Sequence, residues 1–254
     1  MKTYRMNAVM AGALYFLGTV FGVTGAIVGG EVLTSLVTSK PLAGVDMLTI
    51  VAANASQLTG GAFFTLMMGI SLVAMTVFLY PIFRKDSEEL ALGMLLFRGA
   101  LEGTGYMLST LCILALVALS HEYVAKGADS AALRSVGNFL YQFDARMSPV
   151  TTLIFIIGAT FLYVSFYRTR LIPRWLSVWG LIGAAGTIAY VLLDFFHLDN
   201  GIGFYLQMVI APQELVMGLW LIIAGFNRTA IAALFAKRDS TKGNSSFLGA
   251  LPAR

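Results

Sequence analysis

The chain has 254 residues, 58% of them hydrophobic and only 12% charged, with a mean hydropathy of +0.80. Soluble domains carry about 25% charged residues, so the composition excludes a soluble globular protein. Apolar runs of about 20 residues also exclude a membrane β-barrel and predict an all-α, polytopic membrane bundle. In such a chain the net charge of +4 is a topology signal and not a nucleic-acid footprint, so no nucleic-acid partner is expected.

Residues 8–28 form the first predicted span. The preceding MKTYRMN resembles the basic start of a signal peptide, but the apolar stretch exceeds the roughly 7–15 residues of a signal core. Gly18, Gly22, Gly25 and Gly29 follow at spacings of four, three and four, which sets them on one stripe. Such a stripe lets a neighbouring backbone approach closely, within the bundle or, alternatively, across a homodimer.

Residues 31–60 are too polar to span. Asp46 is placed to cap a short interfacial helix whose apolar face is Leu48, Val51, Ala52, Ala55 and Leu58. The second span, 61–83, ends at Pro81 and the basic Arg84-Lys85. Asp86 or Ser87 then caps a helix whose first turn carries Glu88 and Glu89, which suit its positive end.

The third span, 92–119, holds two charges in an apolar run, Arg98 and Glu102. They are four residues apart and therefore share one helix face. At ~1.5 Å per residue, Arg98 lies ~10 Å and Glu102 ~15 Å inside a membrane entered near Leu92. A charge at that depth costs at least ~2.5 kcal/mol unless partners satisfy it.

The loop 121–148 shows Leu133, Val136, Leu140 and Phe143 at helical spacing, which suggests a second interfacial helix. The fourth span is 149–167, followed by a short basic connector from Arg168 to Arg174. The fifth, 175–196, ends near Asp194 and His197, a weak outer-face pair whose plainer reading is a solvated helix end. Trp175, Trp179 and Tyr167 suit an aromatic belt. The sixth span, 204–226, is interrupted by Pro212 and carries Glu214. Together, residues 1–236 make a single six-span domain, and 237–254 a polar, basic tail without expected order.

With six spans, Lys2, Arg5, Arg84, Lys85, Arg168, Arg170, Arg174, Arg228, Lys237, Arg238, Lys242 and Arg254 fall on the side of the termini. Only Lys40, Lys126, Arg134 and Arg146 fall on the other. This bias sets both termini in the cytoplasm.

Glu214 is the third intramembrane charge. Counted from Phe204 it reaches the same depth as Glu102 counted from the opposite face, and Arg98 is placed to bridge the two carboxylates. Two glutamates at close quarters in a low dielectric tend to share a proton. A proton- or ligand-binding polar centre is one reading, with Pro212 as the helix break found at such sites. A buried ion-pair network that only fixes helix register is the other. Phosphate-binding loops, nucleophile elbows, HExxH and Rossmann fingerprints are missing from the sequence, and neither metal nor cofactor is expected. The single Cys112 lies in an apolar span, where no disulfide within the chain is possible. The twelve methionines are scattered and read as packing.

Three stretches, LALGMLLFRGALEG (90–103), YRTRLIPRWLSVWGLIGA (167–184) and APQELVMGLWLIIAGF (211–226), resemble a bacterial multi-pass membrane family catalogued as a domain of unknown function, number four-three-eight-six. FLYPIFRK (78–85) and RMNAVMAGALYFLGTV (5–20) fit the same pattern. The resemblance marks Arg98, Glu102, Leu171 to Ser177, and Pro212 with Glu214 as recurrent features, and it implies an architecture without a mechanism. The expected role is an inner-membrane protein that binds or transports a small solute, ion or lipid, or an accessory factor. A lipid-modifying enzyme with a glutamate acid/base, and a purely structural bundle, stay open as alternatives.

Overall fold

The computed structural model describes residues 2–37, 46–196, 198, 205–206 and 208–236. It is an all-helical bundle, with no strand among the described residues. The helices are α1 (Lys2–Val37), α2 (Met47–Ala53), α3 (Ala55–Phe83), α4 (Glu88–Met94), α5 (Glu102–Ala125), α6 (Ala131–Thr169), α7 (Arg174–Phe195), α8 (Ile210–Ile223) and α9 (Arg228–Ala236). Five of these stretches are long and apolar enough to cross a membrane, α4 and α5 counting as one. The pair α8–α9, bent by 81°, is the sixth candidate. Large apolar side chains on the bundle exterior, Ile27, Ile182 and Ile223 among them, are more than half exposed, as a lipid-facing surface requires.

The glycine stripe of α1 packs against α3. A Cβ at Gly18 would meet Leu72 at 3.0 Å, one at Gly22 would meet Met68 at 2.7 Å, and one at Gly25 would meet Phe64 at 3.2 Å. Gly61 of α3 returns the fit, since a Cβ there would lie 2.9 Å from Gly29 Cα. Just beyond the stripe the backbone leaves helical geometry at Gly30, whose φ of 63° suits a residue without a Cβ.

The expected short helix after α1 is α2, with Leu48 and Val51 buried. Asp46 precedes it but does not cap it with its side chain. The Asp46 carboxylate instead meets the Tyr123 hydroxyl, which also accepts from Arg134 Nε at 2.6 Å and lies 2.5 Å from the Ala128 carbonyl. This cluster ties α2 over the C-terminal end of α5 and the N-terminal end of α6.

Three expectations are corrected. The second interfacial helix and the fourth span are one continuous helix, α6, which runs through Pro149. Gly137, Tyr141, Asp144 and Ala145 are buried in the same helical register as Ile156, Ala159, Tyr163 and Phe166, so one packing stripe outweighs the bond that proline removes. The third span is not α-helical throughout: Leu95–Leu101 winds as a wider π-helical turn. The sixth span does not run straight from 204 to 226. Among the described residues its helix starts at Ile210 and ends at Ile223, and the chain turns at Gly225 (φ 70°) into α9, whose Ile231 and Leu234 are buried. Phe204 and the segment 237–254 lie outside the described residues.

Two apolar clusters make the interior. The larger, at the end bearing the termini, includes Tyr15, Leu79, Phe83, Tyr163, Phe166, Leu176 and Leu221. The smaller, at the opposite end, includes Leu48, Leu58, Ile113, Leu116 and Tyr123. Gly61→Ala should push α1 from α3 and cost about 1–3 kcal/mol by overpacking. A lowered melting temperature of the purified protein in detergent checks this.

Candidate functional site

The site is built on the π-helical turn. Gly99 and Gly158 make room for it on two sides. A Cβ at Gly99 would lie 2.7 Å from Thr76 Oγ1, and one at Gly158 would lie 2.4 Å from Arg98 N and 2.7 Å from Arg98 Cα. The backbone of α6 therefore touches the backbone that carries Arg98, and the wide turn is held in place by that contact. Such turns often mark functional positions inside helices.

Arg98 reaches into the bundle and is 2% exposed. Its Nη1 donates to both oxygens of Glu102, at 2.6 and 2.9 Å. Its Nη2 donates to Glu214 Oε1 of α8 at 2.9 Å. The guanidinium carbon sits 4.3 Å from the Phe155 ring centroid, where the aromatic face favours a cation. Glu102 is fully buried and also accepts from the Tyr106 hydroxyl at 3.1 Å. Glu214 Oε1 accepts a second bond from the Tyr15 hydroxyl at 2.8 Å. The Tyr163 hydroxyl lies 3.4 Å from that of Tyr15, and with the Tyr15 proton given to Glu214, Tyr163 is the donor. Arg98 Nε has no partner.

The three charges named from the sequence thus meet as one cluster. One guanidinium faces two carboxylates, so the trio has a formal charge of −1 when both are ionised and is neutral with one added proton. Among the described residues the helix that carries Glu214 starts at Ile210, so Glu214 is four residues into α8, roughly 6 Å from its start; Phe204, from which its depth is counted in the sequence, lies outside the described residues. With that start, Pro212 is not a mid-span break. It sits in the first turn of α8, where a missing N–H costs no helical bond. Of the weak outer pair, Asp194 is half-buried in the last turn of α7, and His197 lies outside the described residues.

A cavity of about 420 Å³ lies next to this cluster, towards the end of the bundle opposite the termini. Gly22, Met68, Gly105, Tyr106 and Thr151 line its inner part, and Thr34, Asp144 and Ser148 its outer part. Tyr106 belongs to both spaces, lining the cavity while its hydroxyl holds Glu102. The Tyr106 side chain therefore joins the chamber wall to the ionic trio.

The model of the family described as a domain of unknown function (DUF4386) matches residues 10–225. The chain belongs to this family. The matched region of the DUF4386 protein contains all of Tyr15, Arg98, Glu102, Tyr106, Tyr163 and Glu214. Searches of curated proteins and of solved structures returned no match.

Sequence reasoning missed the tyrosines. Tyr106 had a signal, because it follows Arg98 and Glu102 at i+4 steps on the same face. Tyr15 and Tyr163 come from other helices and had none. Asp144 was assigned to a loop and so was not weighed as an intramembrane charge.

Two substitutions follow in this DUF4386 protein. Arg98→Leu leaves a buried and a partly buried carboxylate facing each other and should destabilise by about 3–5 kcal/mol, whereas Arg98→Met with Glu102→Leu and Glu214→Leu should recover most of that loss. Thermal unfolding in detergent separates the two. Gly158→Ala should be as damaging as a core overpacking change, about 1–3 kcal/mol, since backbone and not a flexible side chain blocks the new methyl.

Proposed function

We propose that this integral membrane protein binds a small solute from the face opposite its termini and handles it at the Arg98–Glu102–Glu214 centre, with proton uptake by the carboxylates coupled to occupancy. The reading places the chain in a bacterial inner membrane with both termini in the cytoplasm, on the strength of the lysine and arginine bias.

The observation that carries it is the shared wall. The cavity ends on Tyr106, and the Tyr106 hydroxyl bonds Glu102, which bonds Arg98, which bonds Glu214. A chain of hydrogen bonds therefore runs from a solute-sized chamber to a trio with one negative charge in excess. A bundle that used the ions only for register has no need of a chamber against them. Intramembrane charges that border cavities commonly mark solute or proton paths, and volumes of roughly 300–1,000 Å³ suit small ligands.

Access is tested by cysteine labelling in a Cys112→Ala background. A membrane-impermeant maleimide added to intact cells should label Ser109→Cys, Thr151→Cys and Thr152→Cys, and should leave the core control Ile156→Cys unlabelled. Labelling only in inverted vesicles reverses the proposed orientation, and no labelling from either face removes the chamber. Glu102→Gln and Glu214→Gln should each keep the protein in the membrane with a near-normal melting temperature while abolishing solute-dependent proton uptake in proteoliposomes. If both variants lose folded protein instead, the trio is structural.

A further inference from the structure

We infer that the chamber selects an organic cation, a small amine with an apolar body, and that Asp144 is its counter-charge. This deepens the proposed function and rests on the chamber being a solute site, but not on proton movement at the trio.

Asp144 lies on α6 in a stretch of the bundle where an unpaired carboxylate is costly. It is 4% exposed and lines the chamber. Its Oδ1 has no hydrogen-bond partner, and among the described residues no ion pair involves it. Its polar neighbours are neutral: the Ser109 hydroxyl bonds the carboxylate, and Cys112 lies beside it. The other buried carboxylate of the bundle interior, Glu102, is held by an arginine and a tyrosine, so the fold supplies partners where it needs a closed network. At Asp144 it leaves one carboxylate oxygen without a partner, on a residue that lines the chamber.

The rest of the lining sets the class of ligand. Among the described residues no group of three or more His, Cys, Asp and Glu side chains is placed to hold a metal ion. One carboxylate with scattered hydroxyls is too poor an oxygen set for a bare divalent cation, which takes about six or more oxygens. An ammonium needs only a carboxylate and one or two hydroxyl acceptors, and Ser109, which bonds Asp144, and Ser148, one turn along α6, offer these. Met68, Ile113 and Leu33 leave apolar wall for a hydrocarbon body, and the Tyr106 ring stands at the inner end. An anionic ligand would face Asp144 and the excess negative charge beyond Tyr106, with no cation in the lining to meet it.

The test compares three isosteric probes, benzylamine, benzyl alcohol and benzoate, by calorimetry on the full chain in nanodiscs. Benzylamine should bind at least roughly tenfold more tightly than either of the others, the margin expected of a charge-assisted hydrogen bond. Asp144→Asn should remove that preference. Glu122→Gln, at an exposed carboxylate near the C-terminal end of α5 and outside the chamber lining, should keep benzylamine affinity within about threefold. Equal binding of the three probes, no binding of benzylamine, or unchanged amine preference in Asp144→Asn overturns the assignment. If Asp144→Asn does not fold, Asp144→Glu must retain the preference for the amine, and its loss there also overturns it. Selective amine binding with Glu102→Gln still coupled to proton uptake would remove the proposed role of the trio while leaving this inference intact.

Discussion

The guanidinium of Arg98 holds together parts of the chain that are far apart in sequence. It bonds Glu102 one turn along its own segment and Glu214 in α8, more than a hundred positions later, while Tyr15 of α1 and Tyr163 of α6 close the network around the second carboxylate. In a medium with no water to take up a stray charge, each of these side chains is costly alone and tolerable only together. The requirement that they arrive at one level constrains the crossing of α1, α6, α8 and the third span more tightly than apolar packing does, since apolar surfaces can slide along lipid-like neighbours at little cost.

Small residues make that convergence possible. Gly158 brings the α6 backbone against the backbone of Arg98, and Gly99 admits the Thr76 side chain on the other side. The wide turn at Leu95–Leu101 carries Arg98 between them. At the far end of α1 the glycine stripe does the same for α1 and α3. These close approaches have no apolar driving force behind them in lipid, so dispersion contact and the ionic trio carry the association.

The bundle has two apolar interiors with polar space between them. The cluster around Tyr163 and Phe166 and the one around Leu116 and Tyr123 both border the chamber, through Met68 on one side and Leu33 and Ile113 on the other. The smaller interior is covered by α2, fixed through Asp46, Tyr123 and Arg134. A chamber lined by one carboxylate that no cation pairs among the described residues suits selection by charge.

Much of this was legible in the residues alone. Hydropathy settled the class, because only helices satisfy their own backbone in lipid, and it located five of the crossing stretches. Charge counting pointed to Arg98, Glu102 and Glu214 as partners, because a charge in an apolar span is costly without one. It did not settle the boundaries of α6 or α8: Pro149 looks like a start in sequence and is carried through by a packing stripe, whereas Pro212 looks like a break and is a start. Tyr15, Tyr163 and Asp144 were invisible as a set, since a tyrosine or aspartate acquires its role from the helix opposite. The sequence by itself determined the solvent, the all-helical class and the charges that need partners. Tertiary structure alone decided which hydroxyls complete the pairing and which carboxylate is left facing a cavity, because both depend on how helices distant in the chain are brought side by side.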